Sequence, residues 1–395
     1  MKMNVRIALD AILAQTATRH GGVPGVVAMA TDRDGNFYEG AAGTRELGRD
    51  LPMGTDAVFA LFSTTKALTG TCIMQLVEEG LLTLEDEAGK YLPEIDRIEV
   101  LQGFDAQGQP VTRAPRRKIT VNDLMLHTAG FSYEFFSADD LRYREAKGLP
   151  TVVSCSPESI RSVLLHDPGE AWSYGVNIDW LGLIVEKLRG KRLGAVMAER
   201  IFAPLGMQEI GFGMTDAMRA RRVTIHDRAA DGRLTPLPDL VLPEPPPMDM
   251  GGHGLYASVG EYMKFIRMIL NDGAGPHGRV LKPETVQAMA RDGLLPMGLS
   301  AGGWTGAIAS LSNSGEFFAG TPKGWSYSFM TNREPTPSGR AAGSLMWAGL
   351  ANCYYWIDKS TGIGGFWATQ ILPFQDAVSY PAFVEFESAI YHHLR

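Results

Sequence analysis

Strand-like patterns sit at both ends of this 395-residue chain and helical patterns fill its middle, an order that constrains the fold more than any other feature. Residues 5–19 carry helical spacing, and two strand-like runs follow, Val26–Thr31 and Phe37–Ala42, joined at Asp32–Gly35. From about residue 63 to 230 the pattern is mainly helical with long loops, closed by a stretch rich in proline (Pro236, Pro238, Pro243, Pro245–Pro247). Ser258 and Glu261 have capping-box spacing ahead of a helix over Tyr262–Leu270. Strand-like runs return at Glu316–Ala319, Ser344–Ala351, Tyr354–Asp358 and Gly365–Ile371, and a closing helix is expected from about Pro381. Strands at both ends need partners in one sheet, so the economical architecture is an α+β fold in which the first and last helices cover an antiparallel sheet. The expected units are residues 1–62 with 255–395, carrying the sheet, and residues 63–254, mainly helical with long loops. A ligand site belongs in the cleft between such units.

Composition narrows the function classes. At 45% apolar and 21% charged residues the chain reads as globular, and its net charge of −7 argues against a nucleic-acid partner. The one basic run, Arg113–Lys118, reads as a solvated loop. Three cysteines, Cys72, Cys155 and Cys353, make no disulfide framework and point to a reducing compartment. No apolar stretch is long enough to span a bilayer and the N-terminus lacks a signal-type apolar segment, so a cytoplasmic protein with no membrane partner is expected. The eight histidines offer no close ligand pair apart from His392-His393, so no metal site is expected.

Three segments carry chemistry. In Phe59-Ala60-Leu61-Phe62-Ser63-Thr64-Thr65-Lys66 a strand-like stretch enters a helix with the apolar stripe Leu68, Cys72, Ile73, Leu76 and Val77. Ser63 then lies at a helix N-terminus with the Lys66 amine on its face, one turn on. A lysine whose pKa is lowered by burial can take a serine's proton, and free N–H groups at the turn can hold an oxyanion. The same spacing also fits an N-cap serine beside a solvated lysine. Tyr174 stands at a second loop-to-helix entry, Pro168–Asn177, where a phenol near a lysine ammonium can be driven toward phenolate and so take a serine proton or return it to a leaving group, or simply pack. Gly343–Leu350 is an apolar run whose small residues, Ala348 and Gly349, suit close approach of a substrate to backbone donors, or an ordinary buried strand.

In this order the three segments resemble the serine β-lactamase and penicillin-binding superfamily, in the class C-like branch of family VIII carboxylesterases and lovastatin-type acyltransferases. Ile119–Gly130, reading Ile-Thr-Val-Asn-Asp-Leu-Met-Leu-His-Thr-Ala-Gly, and Phe202–Met207 extend the likeness over most of the chain. The resemblance implies Ser63 as acylated nucleophile, Lys66 and Tyr174 as proton-transfer partners, and the N–H groups of Ser63 and Leu350 as oxyanion hole. Which of Lys66 and Tyr174 is the base stays open. It further implies that Tyr133, Trp347, Ala348, Gly349 and Asn177 line the substrate pocket, that His127 is structural, and that no cofactor is needed. Penicillin-active members carry Lys-Ser/Thr-Gly where this chain reads Trp347-Ala348-Gly349, and an indole cannot replace a cation facing a substrate carboxylate. The Lys359–Gly362 run has the right letters at the wrong spacing, in an expected hairpin turn.

The expected function is therefore a serine esterase acting on small carboxylic esters of short to medium acyl chain. Acyl transfer to a hydroxyl acceptor, or weak β-lactam hydrolysis, is the alternative. Two rivals lie further off. Gly298-Leu299-Ser300-Ala301-Gly302 has the form of an α/β-hydrolase elbow, yet a glycine-rich loop follows it and the only later histidines are His392 and His393. A ligand sensor on the same fold needs no turnover.

Overall fold

The computed structural model describes residues 3–394. Helix α1 (Met3–Thr18) precedes the hairpin β1 (Gly25–Thr31) and β2 (Asn36–Gly43). Three further helices matter to the site: α2 (Lys66–Glu78), α3 (Asn177–Arg189) and α4 (Val259–Leu270). Strands β3 (Lys323–Trp325), β4 (Met330–Asn332), β5 (Leu345–Gly349), β6 (Cys353–Asp358) and β7 (Ile363–Ala368) follow, and α5 (Ser379–Leu394) closes the chain.

The seven strands form one antiparallel sheet in the order β3-β4-β5-β6-β7-β1-β2. The expected union of the two ends is made by β1 against β7, with Val27 opposite Ala368 and Thr31 opposite Gly364. All seven residues of β1 are buried, as a strand covered on both faces requires. Neighbouring residues of a strand point to opposite faces, and β6 identifies what covers each. Tyr354 stacks on Phe383 of α5 at 4.9 Å between centroids, whereas Tyr355 meets Tyr262 of α4 at 5.2 Å. The fold is thus a β-lactamase-like α+β architecture, with terminal helices on one face and α4 on the other.

Several local expectations are corrected. Glu316–Ala319 is turn, not strand, and β3 and β4 supply the sheet instead. The run expected over Gly365–Ile371 stops at Ala368, and Ile371–Leu372 pairs in parallel with Ile225–Arg228 in a separate three-stranded sheet. Helix α4 starts at Val259 rather than Tyr262, and no capping box forms: Ser258 is the N-cap without a side-chain capping bond. Glu261 instead takes the N–H of Gln208 and pairs with Lys264. The closing helix begins two residues early, with Pro381 inside its first turn, where a missing N–H costs nothing. Among the described residues no helix is long and apolar enough to cross a membrane.

Candidate active site

The chain reaches Ser63 through a strained turn. The short strand Val58–Ala60 leads into a 3-10 turn, Phe62–Thr65, and α2 begins at Lys66. Phe62, directly before the serine, holds φ at +44°, a left-handed conformation that costs a residue with a Cβ about 1–2 kcal/mol. Burial of its ring offsets that cost and holds the half-buried serine in place. The capping alternative does not hold: the N-cap of α2 is Thr65, and it makes no side-chain capping bond. Nor is Lys66 solvated, because it is fully buried.

Three acceptors surround the Lys66 amine: Ser63 Oγ at 3.2 Å, Tyr133 OH at 2.9 Å and the Gly252 carbonyl at 2.8 Å. Burial lowers its pKa to about 7, with Asp179 pulling the other way. As an ammonium the group would donate to all three. As a neutral amine it keeps two N–H groups, for Tyr133 and Gly252, and its lone pair faces Ser63. This arrangement can accept the serine proton.

Tyr133, expected as a pocket wall, thus puts its phenol on the lysine. Tyr174 approaches differently. Lys66 Nζ sits over its ring face, 4.7 Å from the centroid, and its hydroxyl reaches Ser63 while accepting a hydrogen bond from Trp347 Nε1 at 2.8 Å. Burial drives the Tyr174 pKa well above the ordinary phenol value, so the hydroxyl keeps its proton and the phenolate expected beside a lysine does not form. Trp347 therefore occupies the third segment's key position as a neutral donor to the phenol.

His127 ends the helix Val121–Leu126 in a left-handed conformation, φ +58°, buried against Tyr174 at 4.8 Å between rings. Its pKa is depressed by burial, and its Nδ1 receives the Asn177 side-chain amide at 2.8 Å and the Gly175 N–H at 3.4 Å. It braces the loop that carries Tyr174. Asn177, expected at the pocket, is instead fully buried and spent on His127 and the Ser173 carbonyl. It is the first residue of α3, and its amide faces the interior there.

Gly349 is small for a reason beyond substrate approach. A Cβ there would lie 2.3 Å from the Leu61 carbonyl oxygen, so only glycine lets the end of β5 close against the turn before Ser63. Ser63, Leu350, Trp347, Ala348 and Gly349 line one pocket with Tyr174, Phe135, Phe136, Trp172, Trp304 and Phe374. No charged side chain among the described residues lines it. A smaller cleft also reaches Ser63, walled by Tyr133, Val152, Val153 and His253.

Sequence reasoning missed the layer behind the lysine. Asp179, on the first turn of α3, is buried and accepts the Gly252 N–H at 2.7 Å, with Tyr133 OH at 3.5 Å. Its pKa is raised by burial and lowered by Lys66. An acid among Ile178, Trp180 and Leu181 was the available signal, masked because acids are common in first turns.

Other candidates fall away. Ser300 lies exposed in a loop with no strand before it or helix after it, and its Oγ accepts from Arg333, so the elbow reading is overturned. Lys359–Gly362 is the turn between β6 and β7. Arg113, Arg116, Arg117 and Lys118 are paired with Asp167, Glu170, Asp123 and Asp96. Among the described residues no cluster of histidine, cysteine and carboxylate side chains could hold a metal.

A seven-stranded antiparallel sheet with terminal helices on one face, and a half-buried serine whose buried Ser-x-x-Lys lysine meets a tyrosine, defines the serine β-lactamase class of enzyme. The chain belongs to that family: the model described as Beta-lactamase matches residues 9–386. Among its relatives, the monacolin J acid methylbutanoyltransferase of Aspergillus terreus is 30% identical over 400 residues, covering 96% of this chain and 95% of the relative. The lovastatin esterase of Penicillium rubens is 31% identical over 383 residues, covering 91% and 92%. Among solved structures, unliganded simvastatin synthase from Aspergillus terreus superposes with a TM-score of 0.84 at 28% identity, covering all of both chains. The chemistry common to this set is acyl transfer or hydrolysis on a serine β-lactamase-like scaffold.

Proposed function

We propose that the protein is a serine esterase that forms an acyl-enzyme at Ser63 from small, uncharged carboxylic esters. The observation that carries this reading is the Lys66 amine, buried and 3.2 Å from Ser63 Oγ beside a pocket without charged walls. Neutral Lys66 takes the hydroxyl proton as Ser63 Oγ bonds to the ester carbonyl carbon. The oxyanion forms between the N–H groups of Ser63 and Leu350. As the tetrahedral species collapses, the C–O bond to the alcohol breaks and the departing oxygen takes the phenol proton of Tyr174, which the proton held on Lys66 replaces, so the one proton lost by Ser63 leaves with the alcohol and both side chains end as they began. Water then attacks the acyl group along the same path in reverse. Trp347 and Phe135 offer apolar surface to the substrate, and Tyr133 holds the lysine.

A second reading has its own support. Seven of the eleven residues that line the pocket are aromatic, which disfavours water, and the transferase among the relatives is named for moving a methylbutanoyl group. An alcohol bound there would intercept the acyl-enzyme before water.

Turnover of p-nitrophenyl butyrate by wild type, Ser63→Ala and Ser300→Ala, with intact-mass detection of the adduct, tests the first reading. Loss confined to Ser63→Ala, with an acyl adduct on the wild type, is expected. Activity that survives Ser63→Ala would overturn it. Adding a long-chain alcohol and measuring ester against acid product separates transferase from esterase.

A further inference from the structure

Lys66 can act as a base only if its lone pair, not an N–H, faces Ser63, and nothing in the lysine itself determines that direction. Its two other partners are both held by one carboxylate. Gly252, whose carbonyl accepts from Lys66 at 2.8 Å, gives its own N–H to Asp179 Oδ1 at 2.7 Å. Tyr133, whose oxygen accepts from Lys66 at 2.9 Å, has Asp179 Oδ2 as acceptor for its hydroxyl proton at 3.5 Å. A Cβ on Gly252 would come within 2.5 Å of the same carboxylate, so the backbone is built for this approach. Resting on the reading of Lys66 as the base, we propose that Asp179 is a positioning residue whose carboxylate sets the direction of the hydrogen bonds around Lys66, aiming its lone pair at Ser63.

The reasoning is one of polarity. A carboxylate only accepts, so the Tyr133 proton points to Asp179 and the phenol oxygen is left to accept from Lys66. An amide at residue 179 that keeps the Gly252 bond turns its NH₂ toward Tyr133. The phenol proton then turns to the lysine, and the lone pair is taken from Ser63. The other titratable groups facing Lys66 are Tyr174, whose ring it overlies, and His127 and His253, both buried with pKa values depressed by desolvation and by the lysine. His253 lies 3.9 Å from Asp179 and 3.9 Å from the buried Cys155 thiol. Among the described residues Asp179 is thus the carboxylate that acts on Lys66.

The test is a cycle of Asp179→Asn, Tyr133→Phe and the double variant, with kcat, KM and the pH profile of p-nitrophenyl butyrate hydrolysis and a thermal melt for each. Asp179→Asn is expected to lose about 100-fold in kcat, the lower end of what positioned proton transfer supplies, with little change in KM. Its acidic limb should move to lower pH, because the charge favouring the ammonium is gone. Tyr133→Phe should lose no more than about 10-fold, and the double variant should be faster than Asp179→Asn, since the diverting phenol is absent. A double variant no faster than Asp179→Asn, or an unmoved acidic limb, would overturn the proposal. Should Asp179→Asn fail to fold, a loss in Tyr133→Phe as great as in Lys66→Ala overturns it too, and a small loss supports it. Activity retained in Ser63→Ala sinks the esterase reading instead, so the two failures are distinct.

Discussion

The indole of Trp347 donates to the hydroxyl of Tyr174 at 2.8 Å, and the two rings pack with centroids 4.7 Å apart. Trp347, which stands where penicillin-active members carry a cation, therefore orients the Tyr174 hydroxyl. Trp347→Phe keeps an aromatic wall but deletes the donor. A hydrogen bond of this kind contributes about 1 kcal/mol, so kcat for p-nitrophenyl butyrate is expected to fall roughly 5- to 10-fold. An unchanged kcat would mean that the phenol needs no such partner.

The pH profile follows from Lys66. Its pKa is lowered to about 7 by burial, so the neutral base is lost as pH falls through that value. kcat/KM should rise with pH through about 7 and then level off, far below the ordinary lysine value. Tyr174 is pushed above its ordinary pKa and stays protonated throughout, so it adds no alkaline limb near neutrality. A limb near the ordinary carboxylate range would assign the base elsewhere.

Substrate charge should matter more than size. With no charged side chain on its walls, the pocket offers nothing to a carboxylate stripped of water. Neutral p-nitrophenyl butyrate is expected to exceed p-nitrophenyl hemisuccinate in kcat/KM by on the order of 100-fold, and carboxylated β-lactams should be correspondingly poor. Equal rates would point to a cation that reaches the pocket during turnover.

Gly349→Ala tests the closure of β5 on the turn before Ser63. The added Cβ meets the Leu61 carbonyl, a backbone atom that cannot swing away, at 2.3 Å. Overpacking of this kind costs about 1–3 kcal/mol, and the melt should fall accordingly, with activity lost beyond what stability explains. Ala348→Gly, which adds nothing, should keep the fold.

What could be foreseen from sequence was whatever local spacing encodes. Ser63 and Lys66 are three residues apart, and the hairpin β1–β2 and the turn after Asp358 announce themselves within a few residues. Contacts between distant segments were not legible. Asp179 and Gly252 meet across 73 residues, and neither carries a motif by itself. Asn177 illustrates the limit from the other side, because a one-residue offset along α3 decides whether an amide faces a pocket or the core. Ser258 and Glu261 had capping-box spacing, yet Glu261 found a better partner in the Gln208 N–H. Propensity yields where tertiary contacts compete.

The antiparallel match of Val27 with Ala368 has a consequence for biosynthesis. The first strand leaves the ribosome hundreds of residues before its partner exists, and the serine and lysine long before Trp347 and Leu350. A nascent chain therefore carries the reactive pair without the wall that completes it. The site is therefore complete only once the last strands are in place.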